Sequence, residues 1–372
     1  MHRKAKKPCI LLVFVAITGF MAAHPIPDIP VVGKFDESGN ATLTVAFDPR
    51  CLLGDPERVL FVTKGQLDEM PRGQREALLG QAQGFLENTI QVSFGGEIWE
   101  LPQFEFRFQG REGSEFNEPS HEAEIRGHWS GLVSPGAETF QVRALEGSPS
   151  LILCKVEVAG LPRVDVQGLF PSEKSHPVDL TGVRPNSIWL TVSSLFRQGF
   201  VHVLPLGLDH ILFVLGIFLL SRAWKPLILQ VSAFTLAHTI TLGMATLGWV
   251  NIPSKPVEVI IAGSICVVAL QNIFRPSYTH NRLWVIFALG LVHGLGFAGA
   301  LSDLELDVGA LVAGLVGFNI GVEAGQLAVL LIAWTLTLPF IHPEDYRRMI
   351  VIPVSLCISA MGLYWVIERV SG

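Results

Sequence analysis

The stretch "LPLGLDHILFVLGIFLL", Leu204–Leu220, is apolar and long enough to enter a bilayer, yet it carries Asp209 and His210 side by side. An ionised group at bilayer depth costs on the order of 3 kcal/mol on insertion scales, so the pair needs a partner or a task. Downstream the pattern repeats. Apolar blocks at about 203–221, 225–247, 256–274, 283–301, 308–335 and 349–368 each approach the length that crosses a hydrocarbon core. The expectation is a membrane protein whose residues 187–372 form an α-helical bundle of six transmembrane spans.

Composition agrees. The chain has 372 residues, 49% of them hydrophobic and only 16% charged, which is too apolar for an ordinary soluble protein of two domains. A net charge of −6 without a long basic run excludes a nucleic acid partner and leaves the lipid bilayer as the expected one.

Residues 1–23 read as a signal peptide: a basic start, an apolar run from Cys9 to Met21, then Ala22 and Ala23. Residues 24–186 would then lie on the exported side. Their short alternating runs at 41–47, 89–94, 104–108, 121–125, 139–144 and 151–158 predict a β-rich, sandwich-like domain. The segment "RGQREALLGQAQGFLENT" predicts a helical insertion. In an exported domain Cys51 and Cys154 could form a disulfide.

Loop charges set the orientation in the cell membrane. Arg222, Lys225, Arg275, Arg282, Arg347 and Arg348 fall in the loops expected inside; Lys255 and the acidic "SDLELD" fall outside. An even number of crossings returns the C-terminus to the exported side.

Further polar residues interrupt the apolar blocks: His238 in "FTLAHTITL", His293 in "LVHGLGFAGA", and Asn319, Glu323 and Gln326 in "GFNIGVEAGQ". Counting about 1.5 Å per residue from the outer ends places Asp209, His293, His238 and Asn319 at about 9, 12, 14 and 17 Å, one layer of the outer half. Glu323 lies one turn deeper. Gly317, Gly321 and Gly325 recur every fourth residue and suit close helix packing, while Asn319, Glu323 and Gln326 fall on roughly the opposite face. Ser232, Thr235, His238 and Thr239 share a sector that suits a polar cavity. Imidazoles beside carboxylates suit a divalent ion such as nickel, cobalt or zinc, and histidines in a membrane also serve proton relays. Glu258 reads either as an entrance charge or as a snorkelling surface residue.

The ordered set "GFVHVLPLGLDHILFVLGIFLL", "AFTLAHTITLGMATLG", "KPVEVIIAGSICVVALQN", "LGLVHGLGFAGAL" and "FNIGVEAGQL" resembles the HupE/UreJ family of membrane proteins over 197–335. That family is associated with hydrogenase and urease accessory functions and with nickel permeation. The resemblance implies metal ligation by Asp209, His210, His238, His293 and Glu323. His202 departs from the pattern, standing one residue further from Asp209 than in the family.

Three functions fit these residues: a divalent-metal permease or binding protein, an intramembrane metal-dependent hydrolase, and a structural anchor for a binding ectodomain. No HExxH or GxSG motif supports the hydrolase.

Overall fold

The structure, a computed structural model, describes residues 28–371 apart from 54–61, 111–115, 134–136, 161–163, 182–187, 251, 253, 275–280 and 297–307. The signal peptide, Arg275 and the acidic 302–307 turn lie outside the described residues. The chain divides into two compact units, His24–Leu195 with Ala298–Gly317, and Phe196–Phe297 with Phe318–Gly372.

The first unit is β-rich. Its strands are β1 (Ile29–Phe35), β2 (Asn40–Phe47), β3 (Ile90–Phe94), β4 (Glu97–Trp99), β5 (Glu105–Gly110), β6 (Ala123–Leu132), β7 (Thr139–Ala144), β8 (Ile152–Val158), β9 (Asp165–Leu169) and β10 (Val178–Asp179). They form a six-stranded sheet in the order β5-β6-β2-β1-β8-β9 and a four-stranded sheet in the order β10-β7-β3-β4. The pairs are antiparallel except β1 with β8.

One apolar core draws on both sheets. The Phe35 ring of the first stands 4.9 Å from the Phe140 ring of the second, and Ile125, Val142 and Ile152 are fully buried among them. Helix α1 (Lys64–Glu69) starts in a Thr63–Gln66 capping box. Helix α2 (Arg72–Thr89), the predicted insertion, buries Ala82 and Leu86 in the core. Cys51 and Cys154 are free thiols, so the anticipated bridge is not formed.

The helical part comprises α3 (Ile188–Val203), α4 (Leu208–Leu220), α5 (Trp224–Thr246), α6 (Ser254–Phe274), α7 (Asn281–Leu295), α8 (Val308–Thr337) and α9 (Pro343–Ser371). Among the described residues α5, α6, α8 and α9 are long and apolar enough to cross a membrane. Helices α3 and α4 together qualify as a fifth span but are bent by 68°, and α7 is shorter. The block predicted at about 203–221 thus holds only the 13-residue α4, and reaches the length of a span only together with α3 before it. The chain unwinds over 204–207, where Gly207 is required because a Cβ there would lie 2.1 Å from the His202 carbonyl oxygen.

Helix α4 is buried on nearly every side, from His210 to Leu219, which places this helix inside the bundle instead of against lipid. The glycine repeat of α8 packs on α3. A Cβ on Gly317, Gly321 or Gly325 would come within 2.6 Å of Val192 O, 2.0 Å of Phe196 O or 2.9 Å of Val203 Cβ, respectively.

Three of the arginines assigned to the inside loops are bonded to neighbouring helices. Arg347 donates to the carbonyls of Asn272 and Ile273 that end α6, and Arg222 donates to Thr337 O at the end of α8. Arg282 is buried in the first turn of α7, its Nε donating to Gln230 Oε1 at 3.1 Å.

Candidate metal centre

Four imidazoles meet within the second unit. His210 is central, with ring centroids 5.0 Å from His202, 5.9 Å from His238 and 5.5 Å from His293. Local structure brings them together. The break after α3 leaves His202 on the last turn of one helix and His210 on the first turn of the next. Gly290 and Gly294 bracket His293, and a Cβ on either would come within 2.6 Å of Phe234 O or 2.2 Å of Thr241 Oγ1. Their absent side chains let the α7 backbone close on α5, which carries His238.

The rings of Phe213, Phe234 and Phe318 wall the group. Phe234 lies 4.9 Å from His293 and 5.7 Å from His210, and Phe318 lies 5.5 Å from His202. His210, His238 and His293 are all at most 3% exposed.

Hydrogen bonds assign the ring protons. His293 Nδ1 stands 3.0 Å from Leu289 O, and a carbonyl only accepts, so the neutral ring carries its proton on Nδ1. His238 Nδ1 faces Asn319 Oδ1 at 3.2 Å and donates in the same way. Each ring therefore keeps a lone pair on Nε2. Both Nε2 atoms, with His210 Nδ1, are buried and have no hydrogen-bond partner among the described residues. Buried polar atoms of this kind are rare enough to need a reason.

Asp209 is half-buried in the first turn of α4, immediately before His210. Glu323 stands apart, accepting from Ser232 Oγ, six residues and so about 9 Å along α5 from His238. Thr235 Oγ1 donates to Gln326 Oε1 at 3.1 Å. Asn319, Glu323 and Gln326 thus link α8 to α5. Glu258 pairs with Arg369 at 3.4 Å, and Arg369 also donates to the Glu258 carbonyl at 2.6 Å, so this carboxylate is tied between α6 and α9.

Two imidazoles bound to one tetrahedral ion at about 2.0–2.1 Å would have ring centroids roughly 5 Å apart, close to the separations around His210. As the side chains stand, no group of three or more His, Cys, Asp or Glu among the described residues could hold a metal ion. The rings are gathered, but their donor atoms do not point at one place. Phe213, Phe234 and Phe318 were not picked out from sequence. The signal available was the one-turn spacing of Phe234 from His238 and the adjacency of Phe318 to Asn319.

Several apolar helices around buried imidazoles define a multi-pass membrane protein with a polar group inside its bundle. The family described as HupE / UreJ protein matches residues 180–369, just over half of the chain, and the chain belongs to it. This family is linked to metal transport or accessory roles, with nickel and cobalt as the metals. Comparison with curated proteins and with solved structures finds no match.

Proposed function

We propose that the protein is a divalent transition-metal permease of the cell membrane, with nickel, cobalt or zinc as its cargo. Asp209, His210, His238 and His293 form the receiving site, joined by His202, and Glu323 with Gln326 contributes at the next level down. The bundle crosses the membrane six times, α3 and α4 together making the first crossing and α7 the fourth. The β-rich domain is a sandwich on the exported side.

The observation that carries this reading is the pair of Nε2 atoms on His238 and His293, buried, unpartnered among the described residues and bearing lone pairs. Neutral imidazoles of fixed tautomer are ligands for borderline divalent ions. As the side chains stand these nitrogens do not converge, so an ion would have to draw them together, and weak ligation suits a site that must release its cargo.

The test is metal content of the purified protein followed by uptake of nickel, cobalt and zinc into proteoliposomes. Saturable uptake abolished by His238→Ala and His293→Ala, with both variants still inserted, supports the permease. Tight zinc without flux would favour the hydrolase. A second reading, in which the polar residues only hold the bundle together, has the three side-chain bonds between α5 and α8 in its favour. It predicts that the same variants are lost from the membrane.

A further inference from the structure

We propose that Asn319 is a positioning residue for His238: its amide oxygen keeps the ring in the Nδ1–H tautomer and so presents the Nε2 lone pair to the neighbouring imidazoles. The ligand of that lone pair rests on the permease reading above; the tautomer does not.

The ring faces and the ring proton have different neighbours. Phe234 and Phe318 lie nearly parallel to the His238 ring, at interplanar angles of 20° and 16° and centroid distances of 6.3 and 6.5 Å. They flank the ring but cannot choose which nitrogen is protonated. Asn319 can. It is 6% exposed, His238 is fully buried, and Oδ1 is 3.2 Å from Nδ1. Which nitrogen is free to bind a cation is set by the hydrogen bond that the other makes.

His293 is held in the same tautomer by Leu289 O, a backbone atom that no substitution removes. Of these two rings, His238 is therefore the one whose tautomer a side-chain substitution at its partner can alter. The bond also ties the tautomer to helix position: Asn319 sits on α8 and His238 on α5, so separating the two helices frees Nδ1.

The experiment uses the full chain with nitrogen-15 histidine in lipid bilayers, free of metal at pH 8, with the His238 signals assigned by their loss in His238→Gln. The expected result is an Nδ1–H ring in the wild type and in Asn319→Asp, whose carboxylate also accepts, and a change to Nε2–H in Asn319→Leu. Should Asn319→Leu fail to insert, Asn319→Ser, too short to reach Nδ1, replaces it. An Nε2–H ring in the wild type overturns the proposal, as does an unchanged tautomer in the inserted Leu or Ser variant.

Titration with nickel then reads the consequence. Affinity should fall by about 10–100-fold in Asn319→Leu and persist in Asn319→Asp. Equal nickel affinity in wild type and Asn319→Leu also overturns the proposal. If the wild type binds no nickel, cobalt or zinc while the tautomer responds as expected, the permease reading fails and the positioning role stands.

Discussion

Gly294 of α7 lies against the backbone of His238: a Cβ at this position would stand 2.3 Å from the His238 carbonyl oxygen and 2.2 Å from Thr241 Oγ1. That approach brings His293, its immediate neighbour, beside His210. Gly294→Ala should push α7 away, cost about 1–3 kcal/mol and weaken metal binding together with stability. Gly263→Ala is the control, since its Cβ would meet only Val366 Cγ2 at 3.9 Å. Thermal unfolding in detergent and nickel titration of the two variants check this; equal behaviour would contradict it.

Glu323 is bonded to Ser232 and lies about 9 Å along α5 from His238, outside the imidazole group. Glu323→Gln should therefore change nickel affinity by no more than about 0.5 kcal/mol, the scatter between independent sites, while reducing flux. Affinity and uptake measured on one preparation separate the two effects. A large loss of affinity would return Glu323 to the first ring of ligands.

The Glu258–Arg369 pair is a structural tie with Arg369 buried and Glu258 partly exposed. Removing only the carboxylate leaves a buried cation without its counter-charge, which costs more than removing both partners. Glu258→Leu should thus unfold at lower temperature than the double variant Glu258→Leu/Arg369→Met, and neither should change the metal preference. A shift in preference would mark Glu258 as an entrance charge.

Burial, with Asp48 adding to it, pushes the Cys51 thiol up from 9.0 to about 12, and burial raises the Cys154 thiol too. At pH 8 only about one Cys51 in ten thousand is a thiolate, so the folded domain should resist alkylation and yield two modified thiols once denatured. A mass shift that reveals a bridge would contradict the free thiols. The sign of the stability effect follows from proton binding: above about pH 9 the unfolded chain releases these protons while the folded chain holds them. Both thiols therefore lower stability as pH rises from 9 towards 12, and have no such effect below that window.

A reporter fused after Gly372 should behave as exported if six crossings follow an exported domain. Cytoplasmic activity of the fusion would require an odd number of crossings or a retained signal segment.

Strands with clean alternation, such as "ATLTVAF" and "TFQVRA", were legible in the sequence, as was α2. Strand β1 was not. Pro25, Pro27 and Pro30 crowd its start and argue against a central strand, yet Ile29–Phe35 pairs with both β2 and β8 because Pro30 occupies only its second position. In the bundle, hydropathy located the blocks but not the bend after Val203, which depends on a close contact at Gly207. Residue type picked out His210, His238 and His293. It left His202 in doubt, because linear spacing measures nothing across an unwound turn. Ring tautomers were invisible for a related reason, since Leu289 O and Asn319 Oδ1 become partners only after the helices have packed.

The glycines of α8 that rest on α3 also form a track with a fixed gauge. Each step of four residues replaces one glycine by the next, so a slide of about one helical turn would keep two bare positions under α3. A slide of half that distance would bring the side-chain-bearing positions between the glycines against a backbone with no room for a methyl group. Movement along this seam is thus discrete, allowing whole-turn stops and penalising everything between them.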